Sequence, residues 1–480
     1  MSITINENTE LNILRDDMDN IRRAVKGSPF IKQKDSLLPH PSQVDTTSDA
    51  QRKRYAEFKA GAEFPEYTKT TLASMLGKMS LNQMTVNLPS DIDYLIKDVD
   101  GDNLSMKGLA ESCASNALQV KWHVLVSDYK GLIDVAVEEL TLDQVERANT
   151  RATINQYTRE NVADYFFSRK NGKMQLIYLL LREVGTVLND NLEQEKVTSY
   201  MRLVLDDIGY YQQKLVEGPD GYEEGEKIYI MSDGAHLQFI PAVFVSDMEL
   251  PLGRLPDELG FLSGVCDLAL YAYRVSALYK EALTGLQAMI NVTGMSQQDY
   301  EEFEKLNKRA YIGLGPKTYN LFPGENIKID MLNPEPAIAP FIEYKDNNAK
   351  DVRAIGGIYN TTATIERTAS EVMNEAATVN AQLNPLANSV EESLKMACAY
   401  CYMLEGKVSQ ENVSDAVDLM NIALPREFSI SKLSTEEVAK LLDLYTTALI
   451  PRDELLTILK KGGWLESDVK DLLNQLEVSE

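Results

Sequence analysis

The chain has 480 residues and sets 48 Lys and Arg against 73 Asp and Glu, a formal charge of −25 at neutral pH. That balance excludes a protein that grips nucleic acid through a broadly basic surface, because such binding needs many neutralised phosphates; it leaves room for one past which nucleic acid slides. With 44% hydrophobic and 25% charged residues the composition is globular, and the length accommodates about three domain-sized units.

Cys113, Cys266, Cys398 and Cys401 are too few for a disulfide framework and fit a reducing compartment. The first residues carry Glu7, Glu10, Asp16, Asp17 and Asp19 without an apolar run, unlike a signal peptide. No stretch of about 18 residues is apolar enough to span a membrane. The expectation is a soluble, intracellular protein.

Residues 1–50 read as a polar arm ending in Leu38-Pro39-His40-Pro41-Ser42. Residues 51–88 turn helical, with Tyr55, Phe58 and Ala62 spaced for one face and then Leu72, Met75, Leu76 and Met79. No internal repeat is visible. Residues 91–250 are mixed: a helix over Met106–Ala117, a strand over Trp122–Val126, and strand-like runs at Met174–Leu181, Tyr200–Leu205, Ile228–Met231 and Phe239–Val245. The acidic, Gly- and Pro-bearing stretch 217–225 reads as a solvated hairpin tip.

After Pro256 the character changes. Residues 259–292 hold only Asp267, Arg274, Lys280 and Glu281 as formal charges, and as a helix would run about 50 Å. Leu262, Val265, Leu268, Ala269, Ala272 and Val275 cover one side; Phe261, Leu270, Tyr271, Leu278 and Leu283 cover much of the rest. A helix apolar nearly all round needs burial on all sides, either as the centre of a monomeric core or between identical neighbours. A compact insertion follows at 293–335, with an acidic helix over Gln297–Lys308 and two short strands around Tyr311 and Ile327. A helix over Ala337–Ala354 returns and stops at Gly356-Gly357. Another long helix runs to Leu404, opened by the capping-box pattern Thr368-Ala-Ser-Glu371, with Pro385 inside it and Gly406 after it. Residues 407–480 read as helical and acidic, with a second capping box at Ser434–Glu437.

No motif here carries chemistry on its own. Asp98, Asp100 and Asp102 begin like a calcium loop, but Asn103 and Leu109 stand where that loop needs Gly and Glu, so an Asp/Gly turn opening a helix is expected. Cys398-Ala-Tyr-Cys401 has redox spacing yet lies in a helical run, and Pro316 removes the N–H that a phosphate loop ending at Lys317 would need. His40, His123 and His236 show no ligand spacing. No cofactor, metal or catalytic residue is expected.

At Ile365-Glu-Arg-Thr-Ala-Ser-Glu-Val372 the chain resembles the portal proteins of tailed bacteriophages, which often carry a Thr-Ala-Thr-Glu-like run at the head of a long helix; Ser370 departs from that run. Phe64–Lys78, Asp98–Leu104, Tyr157–Ala163, Arg182-Glu183 and Leu237–Val245 are similar to one branch of that family, so short, degenerate motifs cover residues 55–480. The order of parts is similar too. The resemblance implies an α+β, predominantly helical portal fold with wing, stem, clip and crown, assembled as a ring. Its parts would be an N-terminal arm (1–59), a wing (60–250), a stem helix (251–292), a clip (293–335), a returning stem helix (336–355), a tunnel loop (356–364), a kinked wing helix (365–405) and a crown (406–480).

The implied function is structural and not enzymatic. About twelve identical subunits would form a closed ring at one capsid vertex, admitting double-stranded DNA during packaging and releasing it at ejection. Its partners would be the terminase large subunit, then a head–tail adaptor, with the major capsid protein and scaffold around it and no membrane. The DNA would pass without sequence specificity, and an acidic wall would keep it moving. The protein would be made in the host cytoplasm and reside in the virion. The channel lining would include Lys345, Lys350 and Arg353, unless these pair with Glu343, Asp346 and Asp351 between subunits. Ile358, Tyr359, Asn360, Thr361 and Thr362 would form the tunnel loop, and Asp299, Glu301, Glu302, Lys305, Lys317 and Tyr319 the clip docking surface. The rival readings are another ring-forming or scaffolding virion protein and an enzyme whose active site is assembled from distant residues.

Overall fold

The computed structural model describes residues 2–5, 7–39, 48–79, 84–129, 151–170, 172–188, 193–218, 221–232, 234–250, 253–285, 289–307, 321–323, 327–332, 339–356, 369–425 and 455–456. A short strand, Ser2–Ile3 (β1), precedes three helices, Thr9–Ile13 (α1), Arg15–Lys26 (α2) and Ser28–Ile31 (α3). In α2, Asp16 and Asp17 stand in the first turn and Arg23 and Lys26 in the last, each opposing the nearby pole of the helix dipole, while Met18, Ile21 and Ala24 are buried. This stretch is thus more ordered than a polar arm. Asp49–Gly61 (α4) is capped by Ser48, whose Oγ accepts from the Gln51 N–H at 3.3 Å, and Tyr67–Lys78 (α5) follows.

The remaining elements are Thr85–Asn87 (β2), Met106–Val120 (α6), Trp122–Tyr129 (β3), Ala152–Thr158 (β4), Val162–Lys170 (β5), Lys173–Leu188 (β6), Gln194–Leu205 (β7), Tyr210–Gly218 (β8), Gly221–Tyr229 (β9), Met231–Ser232 (β10), Ala235–His236 (β11) and Ala242–Ser246 (β12). Then come Leu262–Gly285 (α7), Met289–Thr293 (β13), Gln297–Asn307 (α8), Lys328–Leu332 (β14), Ala339–Gly356 (α9), Ala369–Leu404 (α10), Val413–Val417 (α11) and Asn421–Ala423 (β15). They group into two compact units: residues 1–22, 70–263 and 356–480, and residues 23–69 and 264–355.

The first unit is built on antiparallel sheets. A six-stranded sheet has the order β1-β9-β8-β7-β6-β5, and a three-stranded sheet the order β12-β3-β4. Trp122–Ser127 of β3 are all buried, because α6 and α10 both pack on this smaller sheet. The run before α7 is fixed to its strands: Trp122 Nε1 donates to the Pro256 carbonyl at 3.1 Å, and the Arg159 guanidinium donates to the Glu258 carbonyl while standing 5.0 Å over the Trp122 ring. A Cβ at Gly260 would lie 2.4 Å from the Leu118 carbonyl oxygen, so only glycine allows this approach. At the end of α10, Gly406 has φ +69°, and the N–H groups of Gly406 and Lys407 return to the carbonyls of Met403 and Tyr402, a Schellman stop.

The expected predominantly helical portal fold is corrected by this sheet content: the chain is a mixed α+β protein with several antiparallel sheets. Strands β4, β5 and β8 carry buried or half-buried polar residues, such as Gln212 and Gln213 at 2% and 4% exposure, and therefore lack the apolar alternation that marks a strand in sequence. The structure is of one chain, and the ring in that expectation is not part of it.

In the second unit α7 and α9 run antiparallel. Asn348 Nδ2 donates to the Leu268 carbonyl at 3.2 Å, and the ring pairs Tyr271–Tyr344 and Tyr279–Phe341 lie at 5.0 and 5.8 Å. The other side of α7 meets the segment after α4: Phe64 packs edge-on against Tyr273 at 5.9 Å, and Ser276 Oγ donates to the Glu63 carbonyl at 2.9 Å. Strands β13 and β14 pair over five residues between the two long helices in the chain, with α8 between them in sequence.

Candidate functional site

The surfaces most open to function in the second unit are those that α7 and α9 leave uncovered. Along α7, Leu262, Val265, Cys266, Ala269, Leu270, Tyr273 and Ala277 are buried. Tyr271, Leu278 and Leu283 stay 52%, 39% and 37% exposed, as does Ile342 of α9 at 53%. The helix that is apolar nearly all round in sequence therefore keeps three apolar side chains exposed among the described residues. Isolated exposed apolar side chains are ordinary, but three along one helix with a fourth on its neighbour are a candidate contact surface.

On α9 the inward face is Phe341, Tyr344, Asn348 and Val352, at helical spacing. Burial, and then the nearby Tyr271, pushes the Tyr344 phenol up to about 12, and its oxygen accepts from Asn348 Nδ2 at 2.9 Å. Lys345 and Lys350 are both exposed, about 140° apart round the helix, Lys345 flanking the inward face and Lys350 opposite it. Among the described residues neither has an acidic partner within 4.0 Å. Glu63 is held below the usual carboxylate range chiefly by Lys280, at 2.8 Å, with a smaller contribution from Lys345. Arg353 is on the same helix; its side chain lies outside the described ones.

The expected clip residues separate. Asp299 closes a capping box on Ser296: Ser296 N and Oγ donate to its Oδ2 at 2.9 and 2.6 Å, its own N–H donates to Ser296 Oγ at 3.2 Å, and the Ser296 bonds hold its carboxyl low. The Ser-x-x-Asp spacing carries that role in sequence. Glu301, Glu302 and Lys305 are exposed on α8, whose inner face sets Phe303 on Phe322 at 5.2 Å. Lys317 and Tyr319 lie outside the described residues, as do Ile358, Tyr359, Asn360, Thr361 and Thr362 and the strand expected around Tyr311.

The weaker motifs have structural roles. Asp98 Oδ1 accepts from the N–H groups of Gly101 and Asn103 at 2.8 and 2.9 Å, and its other oxygen pairs with Arg151; Asp100 caps Asp102 and Leu104. The Asp/Gly turn is what these bonds build. Cys398 and Cys401 are buried thiols on α10, and burial pushes Cys398 up to about 12. Phe167, Phe239, Phe244, Glu392, Met396 and Tyr400 are among the walls of a 590 Å³ cavity in the first unit. Its ionisable lining residues are Glu249, Glu392 and Tyr400; His123, Asp128 and Cys398 are not among its walls.

No protein-family model matches the chain, and no curated protein is similar to it. Two solved assemblies are similar in structure. One is the neck of an empty gene transfer agent particle computed with C6 symmetry, at a TM-score of 0.38 and 10% identity over 87% of this chain and 95% of that one. The other is the virion of a native gene transfer agent particle, at 0.37 and 11% over 92% and 98%.

Proposed function

We propose that the chain is a structural protein of a phage-type particle, and more finely its portal. Copies would form a ring-shaped channel at one capsid vertex, through which double-stranded DNA enters and leaves. The observation that carries this reading is α7, a helix with apolar residues on nearly every side whose Tyr271, Leu278 and Leu283 remain exposed in the single chain. Neighbouring copies would cover them. The motifs shared with portal proteins, centred on Thr368-Ala-Ser-Glu371, support the same reading.

Charge supports it as well. Copies carrying −25 each over the whole chain repel a duplex instead of binding it, which suits passage without sequence specificity. Lys345 and Lys350, exposed and without an ion pair among the described residues, together with Arg353, would face the channel and centre the duplex. The uncharged residues 358–362 would narrow it. The α8 surface with Glu301, Glu302 and Lys305 would meet the terminase and later the adaptor.

Sedimentation of the purified chain tests the reading. Closed assemblies of many copies are expected, and a chain that remains monomeric while well folded would overturn it. In a packaging assay, Tyr359→Ala should lower DNA packaging or retention and leave assembly intact; loss of assembly instead would refute the loop's assignment to the channel.

A further inference from the structure

Charge is segregated along the six-stranded sheet. Strand β6 has 16 residues, a span of about 50 Å at ~3.3 Å per residue. At its start, the β5–β6 turn carries Arg169, Lys170 and Lys173, with Lys170 directly opposite Lys173 in the ladder. Among the described residues none of the three has an acidic partner within 4.0 Å. Like charges facing each other across a ladder are destabilising, so this turn gains from an anionic neighbour.

The far end of the sheet is its complement. Pairing of β5 with β6 stops at Val162 and Leu181, and pairing of β7 with β8 stops at Ser199 and Val216. Residues 184–188 and 194–198 therefore pair, among the described residues, only with each other, as a two-stranded ribbon. Such a ribbon is marginal by itself in water. The ribbon and the adjacent β8–β9 hairpin expose Glu193, Glu195, Glu217, Glu223, Glu224 and Glu226 against Lys196 and Lys227, an acidic excess, and also Val184, Val187 and Val216 at 56%, 49% and 43%. These two ends of one strand cannot reach each other within a molecule.

We propose that the basic β5–β6 turn of one copy docks on the acidic end of the β6–β7 ribbon and β8–β9 hairpin of the next. The two surfaces differ, so the contact is heterologous and runs head to tail, the geometry that closes rings. It rests on the self-assembling reading above and supplies it with a second contact, separate from α7.

Charge reversal in the full chain tests it, read by sedimentation velocity with circular dichroism to check folding. Arg169→Glu with Lys173→Glu should weaken self-association at least ~10-fold, as should Glu195→Lys with Glu223→Lys. Arg169→Gln with Lys173→Gln should give a smaller loss. All four reversals in one chain should restore assembly, and so should an equimolar mixture of the two reversed chains. Failure of both restorations overturns the proposal. If every variant assembles like the unaltered chain, this contact is wrong and the self-assembling reading stands; if the unaltered chain does not assemble, both fall. If Arg169→Glu with Lys173→Glu assembles normally but loses binding to a short DNA duplex used as probe, the turn serves nucleic acid and the proposal is overturned.

Discussion

His123 and Asp128 occupy β3 and load its fold in opposite directions. His123 is fully buried, neither ring nitrogen has a hydrogen-bond partner among the described residues, and burial, with Arg22 nearby, pushes its pKa down to about 3. Asp128 is pushed up to about 6, chiefly by burial, against hydrogen bonds from Gln212 and the Tyr129 N–H. For His123 the unfolded chain binds more protons between about pH 3 and 6.5, so stability rises with pH across that window. For Asp128 the folded chain binds more between about pH 4 and 6, so stability falls as pH rises there. The two slopes oppose each other in the unaltered chain. His123→Leu should therefore stabilise by ~1–2 kcal/mol and leave a curve that falls between pH 4 and 6. Asp128→Asn should stabilise at pH 8 by on the order of 1–3 kcal/mol and leave a curve that rises. Urea unfolding across pH checks both; parallel curves for all three proteins would refute the assignment of these groups.

Element by element, the sequence is most legible where apolar period and punctuation agree. The helix read over Met106–Ala117 forms as Met106–Val120, with Ser105 as its cap, and the strand read from Trp122 forms as β3. The acidic hairpin tip at 217–225 joins β8 to β9, and the long apolar helix forms over Leu262–Gly285. Its last residues instead supply β13 at Met289–Thr293, because a second short strand, β14, is there to pair with it. What sequence misses is burial of polar residues: the Gln212 amide donates to the Tyr210 hydroxyl at 2.8 Å, a bond that no periodicity reveals. Of the candidate site, Lys345 and Lys350 are exposed on α9, and Asp299 is bonded to Ser296 at the start of α8. Two changes test the elements. Gly260→Ala should cost ~2 kcal/mol or more, since its Cβ would meet backbone at Leu118 and Gln119 that cannot rotate away; an unchanged melting temperature would contradict the close approach. Tyr271→Glu with Leu278→Lys should abolish self-association with little change in melting temperature, and wild-type assembly would remove α7 from the interface.

For the whole molecule, the account joins an acidic chain, a rod left partly uncovered and a sheet with opposite charges at its two ends. In the proposed assembly each would lie between copies. The central claim is that copies meet along α7 and enclose an opening wide enough for a DNA duplex. Cryo-electron microscopy of the assembled full chain tests it most directly. The account predicts rings with a central hole, α7 lying between adjacent subunits, and α9 lining the opening. Monomers, or a closed assembly without an axial opening and with α7 facing solvent, would contradict it.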